Sequence, residues 1–535
     1  MEVVTGSATG RQAVACVALL LALVTTAPEA HARRFTVCAL SFHGPSEIQV
    51  FKERMPVTDF EVLDLSPHQR PMATPASGQR ATHASWLSDL CRPDLRCDVM
   101  VYSAEFAGSF FGAYGTSLRL SDMEEASCQA RCDGLFHAPL EVFLLGCNTL
   151  ATKDQDSRSP AEYLQVLLDH DFDRATAERV VEMRYGPFGP SFRETLRRVF
   201  MDVPRVYGFA SVAPSGEHSA PLLERYFQRK GDYRRWLEET GRGSDRNAEL
   251  LAVFRGTGLV QTTGLTDAEP AGADRRLICR LYDEREAVWD RLSIMLDLMA
   301  RPDFLAFLPA LQVFIERHPS ETLAPDELRL FEEVQRSAGA RDEVLRLVRE
   351  LGVSALQLEL AHTAWHLGWL TTAEFRTLGI DAARSLLQRP LTDEVVDIMC
   401  EIPRHVSLRD EFGSDDLPPT LFTRAEGIRL VSCLAPADPR VNARLVPGLD
   451  HPDPLARLWA AYALSERLPL DDATLVRLAS HLNDPAADLR ERLRWIFVAQ
   501  PPVSDAVRRT VALRDPGFAA TLRRPAKERR HGWFW

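Results

Sequence analysis

Concentrated positive charge is the first thing this 535-residue chain lacks. Its 63 Lys and Arg stand against 75 Asp and Glu, for a net charge of −12. The basic residues are scattered along it, which excludes the cationic stripe that nucleic-acid binding requires. A second absence is any segment beyond Val24 apolar and long enough to cross a bilayer, so no stable membrane span is expected. A third is tight cysteine spacing. Cys91/Cys97 and Cys128/Cys132 follow C-x5-C and C-x3-C, looser as a set than the C-x2-4-C pairs that preorganise a four-thiolate zinc site. No metal and no cofactor are expected.

What is present begins at the N-terminus. Arg11 precedes an apolar run from Ala13 to Val24, and Ala30-His31-Ala32 places small residues at the −3 and −1 positions of a cleavage site. This layout predicts a signal peptide over 1–32 and an exported mature chain, periplasmic or secreted, starting near Arg33. An uncleaved anchor is the alternative, although the run is shorter than the usual span of about 20 residues. Of the ten cysteines, Cys16 lies in that run. In an oxidising compartment close pairs of the others tend to become disulfides. Cys91, Cys97, Cys128 and Cys132 are the candidates, with three possible pairings. Cys38 and Cys147 fall on predicted strands with no local partner.

From Arg34 to about Pro214 short apolar runs alternate with amphipathic stretches. Predicted strands are Phe35 to Phe42, Glu61 to Leu65, Val99 to Tyr102, Val142 to Leu145 and Val206 to Phe209. Continuous apolar runs suit strands buried on both faces of a parallel sheet. Ser159-Pro160-Ala161-Glu162 reads as a capping box, opening a helix whose buried face holds Leu164, Leu167 and Leu168. The fold class is therefore α/β over 33–221, followed by an all-α region. That region divides into a helical domain, 222–415, a linker near Asp415 to Pro419, repeats over 421–520 and a flexible tail, 521–535. In the repeats LDHPDPLARLWAAYAL, LNDPAADLRERLRWIF and LRDPGFAATLRR recur, with Pro452 and Pro485 33 residues apart and Pro485 and Pro516 31 apart. Each unit sets proline beside aspartate at a helix start, and resembles a short HEAT-like repeat of a helical solenoid.

In an open parallel sheet reactive groups gather beyond the carboxyl ends of the strands. Cys147, in EVFLLGCNTLA, lies there, and Gly146 before it permits close approach of a neighbouring chain. The block from Asp98 to Leu150 resembles the caspase-like cysteine peptidases, most of all their bacterial CHAT-type branch. VMVYSAEFAGSFFG stands where that family's histidine strand would be, and EVFLLGCNTLA matches the cysteine strand. VYGFASVAP resembles the strand and pocket loop that follow. The likeness spans roughly Arg34 to Pro221. It implies Cys147 as nucleophile and position 105 as general base, with Gly108 and Gly112 keeping the loop's small residues.

Position 105 is glutamate. A carboxylate beside a thiol opposes the thiolate by like-charge repulsion, and with an unperturbed pKa of about 4.3 it is a poor acid for a leaving amine. His43, after the first strand, is the substitute base with a geometric argument; His137 belongs at the far end of the sheet, and His218 has no motif behind it. Ser211, Val212, Asp154 and Asp156 would line a substrate pocket. Glu359, His362 and His366 share a helix face with Trp365 and Trp369, and HTAWH lacks the glutamate of H-E-x-x-H, so packing accounts for them. Two functions follow: a non-catalytic module binding a protein or peptide, which Glu105 favours, or a cysteine endopeptidase with a non-standard base.

Overall fold

The computed structural model describes residues 33–42, 44–66, 85–112, 117–152, 158–170, 172–186, 192–389, 391, 393–436, 438–499 and 503–522. The expected signal peptide and the tail beyond 522 lie outside the described residues. Nine strands occur among them: β1 (Phe35–Ser41), β2 (Phe60–Asp64), β3 (Val99–Ser103), β4 (Glu105–Phe106), β5 (Ser109–Phe111), β6 (Ser117–Arg119), β7 (Glu141–Leu145), β8 (Arg205–Phe209) and β9 (Leu259–Thr262). Six form one sheet in the order β2-β1-β3-β7-β8-β9, parallel throughout except for antiparallel β9. β4, β5 and β6 form a small antiparallel sheet of their own.

The apolar runs are explained by two cores. Val37, Ala39, Val99, Val101, Phe143, Leu145, Tyr207 and Phe209 face one core, shared with the helices Ser46–Arg54 and Gly216–Lys230. Their neighbours Cys38, Leu40, Met100, Tyr102, Val142, Leu144 and Val206 face the other. Successive strand side chains point to opposite faces, so a strand covered on both sides is apolar along its middle and keeps its polar residues, such as Ser103, Glu141 and Arg205, at its ends. The second core runs without a break into the helical region, through Leu311, Phe375, Leu430 and Leu464 to Leu522.

The sheet does not close at residue 221. Pro221 lies inside the helix Gly216–Lys230, and the chain returns to add β9 along β8. LVQT is short and half-buried at every position, which leaves no apolar run to announce a strand. From Pro270 onward the regular elements among the described residues are helices. The expected linker is folded: Leu417 is buried, Ser414 donates its amide to Asp438 at 2.8 Å, and Arg440 pairs with Asp415 at 3.1 Å. No helix among the described residues is long and apolar enough to cross a membrane.

Among the described residues four disulfides link Cys38 to Cys97, Cys91 to Cys132, Cys128 to Cys279 and Cys400 to Cys433. Cys38, expected to have no local partner, meets Cys97 because β1 lies beside β3. Neither close sequence pair is bonded internally, and Cys128 reaches across to the first helix of the helical region, Pro270–Tyr282. Proximity along the chain carried no information about proximity across the sheet.

The Asp-Pro units have a common bonding pattern. Arg457 donates to the carbonyls of His451 and Pro452, at 2.9 and 3.1 Å, and Arg490 does the same to Asp484 and Pro485, at 2.5 and 2.9 Å. Arg457 also reaches Asp484 of the next unit at 3.1 Å, and Arg494 reaches Asp515 at 2.6 Å. Each arginine thus ties a helix start to itself or to its successor.

Candidate functional site

The register between β3 and β7 positions the site. Ser103 stands opposite Leu145, so Glu105 and Cys147, each two residues further, lie beyond the same end of the sheet. The Ala104 amide donates to the Leu145 carbonyl at 3.2 Å, carrying the pairing one step past the strands. Gly146 allows this approach: a Cβ there would sit 2.8 Å from the Ala104 carbonyl oxygen.

After Cys147 the chain reverses through Asn148, whose φ of 61° is left-handed, a conformation asparagine tolerates better than most residues. Two hydroxyl and amide groups hold the turn. Thr149 donates through Oγ1 to the carbonyls of Leu144 or Gly146, both at 3.2 Å, and accepts the Phe209 amide at 3.1 Å. The Asn148 amide donates to the Ser211 carbonyl at 2.9 Å. The Asn148 side-chain oxygen accepts from the Tyr163 hydroxyl at 2.8 Å and from the Arg184 guanidinium.

Cys147 is the one free cysteine among the described residues and is 3% exposed. Its Sγ accepts the Ala213 amide at 3.3 Å, so the loop expected to shape a pocket instead folds over the sulfur. Burial pushes the thiol up to about 12, and the Glu105 carboxylate pushes the same way. The Ala213 amide and Arg184 oppose them and do not prevail. A thiol with that value is thiolate in roughly one molecule in 10⁵ at pH 7. Arg184 can stabilise an anion but cannot take up the proton, because its guanidinium stays charged.

Ser211 takes part through its carbonyl and through its hydroxyl, which accepts from Arg158 at 3.2 Å; Val212 is half-buried beside it. His43, Asp154 and Asp156 lie outside the described residues. His137 sits at the opposite end of the sheet, 3.1 Å from Asp133 and 3.0 Å from Arg275. His218 is exposed and bonded to Ser215 at 2.7 Å. The groups that act on Cys147 among the described residues thus include two backbone amides, its own and that of Ala213, with the Glu105 carboxylate and the Arg184 guanidinium.

Sequence reasoning missed Tyr163, Arg158 and Arg184. The capping box is present, with the Ser159 amide donating to Glu162 at 2.7 Å, but the fully buried residues of that helix are Tyr163 and Leu167, while Leu164 and Leu168 are half-buried. A tyrosine on the apolar face was the available signal, since a buried hydroxyl needs a partner. Glu47 was also missed as a polar group: it is buried under the same strand ends and accepts from Ser103 at 2.5 Å and from Ser219. Compared with known proteins, the chain matches no family model, no curated protein and no solved structure.

Proposed function

We propose that the chain is a non-catalytic, protein- or peptide-binding relative of the caspase-like cysteine peptidases, with a HEAT-like helical array as its C-terminal part. The observation that carries this reading is the state of Cys147: buried, bonded to the Ala213 amide, and pushed up to about 12 with Glu105 on its electrostatic horizon. An attacking thiol needs a partner that removes its proton and later returns one to the leaving amine. Glu105 opposes ionisation and Arg184 cannot exchange a proton, so neither supplies that function. The resemblance to the family rests on the cysteine strand and its Cys-Asn-Thr run, and the parallel sheet with Cys147 at its carboxyl end is compatible with it. Helical surfaces joined by Arg–Asp pairs such as Arg494–Asp515 are a stiff platform for an extended partner.

A thiol-directed peptide probe tests the reading. Silence of the native chain across a varied peptide panel is expected. Labelling that vanishes in Cys147→Ala would establish a cysteine endopeptidase instead. Glu105→His sharpens the test: a gain of labelling or cleavage from that one change means that the scaffold is intact and the base alone was lost.

A further inference from the structure

The helical region brings together three imidazoles from two helices. His362 and His366 are one turn apart on the helix Ala355–His366, and His405 ends the helix Asp393–His405. One ligand atom from each lies within 4.8 Å of the other two. The His362 and His366 Nε2 atoms are 3.1 Å apart. A tetrahedral zinc ion with bonds of roughly 2.05 Å holds neighbouring nitrogens about 3.3 Å apart, so this pair already has the spacing of two ligands. His405 is exposed at its helix end, with its ring centroid 5.1 Å from that of His362 and 5.4 Å from that of His366.

We propose that His362, His366 and His405 form a binding site for one divalent transition-metal ion, with zinc as the ion of matching chemistry. Three neutral imidazoles are a borderline-soft donor set that suits zinc and not magnesium or calcium, which take oxygen ligands. His362 turns its Nδ1 toward the Glu316 carboxylate, 3.9 Å away, and its Nε2 toward His366. An acidic group behind the ring favours the tautomer that puts the lone pair on the inner nitrogen. Trp365 and Phe375, stacked at 5.2 Å, wall the site on the apolar side, and His362 stacks on Phe375 at 5.9 Å. The exposed side at His405 leaves the fourth position to water or to a ligand from outside. Packing, the expectation from sequence for His362 and His366, explains the aromatic wall but not the arrival of a third imidazole from another helix.

Calorimetric titration of the full chain, prepared without a histidine tag and stripped with a chelator, tests the site. One zinc ion per chain is expected, with affinity weakened at least tenfold in His405→Ala and in His362→Ala and unchanged in His218→Ala. Cobalt(II) should give the visible bands of a tetrahedral site in the native chain and lose them in His405→Ala. Because His405 is exposed, that variant should keep the apo protein's melting temperature, which separates loss of a ligand from loss of the fold. Zinc uptake indifferent to His405→Ala, or zinc displaced by equimolar magnesium, overturns the proposal.

Discussion

The two ends of the sheet bury different kinds of polar group. At the amino end Glu141 is fully buried and accepts from Arg205 at 2.8 Å, Tyr207 at 2.7 Å and Trp236 at 2.9 Å, with Tyr233 on its other oxygen. One carboxylate there is surrounded by donors and offsets the burial of Arg205, although the Arg205 Nη2 atom is buried without a hydrogen-bond partner among the described residues. At the carboxyl end Asn148 is held left-handed, its side-chain nitrogen is buried without a hydrogen-bond partner among the described residues, and Cys147 is pushed up by burial. Unpartnered buried polar atoms cost free energy. One end holds a buried carboxylate in a network of donors, the other a left-handed turn beside a buried thiol.

Breaking that contrast gives the largest expected effect. Glu141→Ala leaves the Arg205 guanidinium buried without its anion and should cost about 3–5 kcal/mol in denaturant unfolding. Cys147→Ala, at the other end, should cost only about 1 kcal/mol. Equal losses would erase the distinction. The thiol also leaves a signature in pH. Its folded value is raised to about 12 against roughly 8.5 for an unfolded cysteine, so the unfolded chain releases the proton first. The stability held at neutral pH should therefore decline as pH climbs past about 8.5, by about 1.4 kcal/mol per unit relative to Cys147→Ser. Parallel curves for the two proteins between pH 8.5 and 10 would show that the sulfur is not buried as described.

Smaller effects refine the site itself. Ser159→Ala removes the hydroxyl that accepts the Glu162 amide at 3.3 Å and should lower the melting transition by about 1 kcal/mol. Tyr163 sits on that helix, so fraying there should also raise hydrogen exchange at Asn148. Finally, Glu105→Gln should speed alkylation of Cys147 by iodoacetamide severalfold and Arg184→Met should slow it, since the two charges act on the thiol with opposite sign. Identical rates in both variants would remove Glu105 and Arg184 from the sulfur's surroundings.

Much of the architecture was legible because its causes are local. β1, β3, β7 and β8 coincide with continuous apolar runs, and the helix Pro160–Asp169 begins at its predicted cap. β9 was not legible, because a four-residue edge strand half-buried at every position carries neither an apolar run nor a strict alternation. Cys147 and Glu105 could be placed together on paper through the strand ends and a resemblance. Arg184 could not, since its reach to Asn148 and the Ala210 carbonyl depends on how the helix Arg174–Tyr185 packs, not on any spacing near the turn.

Strand positions, helix caps, the change from α/β to helical character and the absence of an imidazole at position 105 follow from residue types and their period, because each is decided within a few neighbours. The pairing of Cys38 with Cys97, the donors around Glu141, the loop laid over the Cys147 sulfur and the approach of His405 to His362 were decided only by tertiary structure. Each joins groups whose separation along the chain is unrelated to their separation in space, and only packing of the two cores sets that second distance.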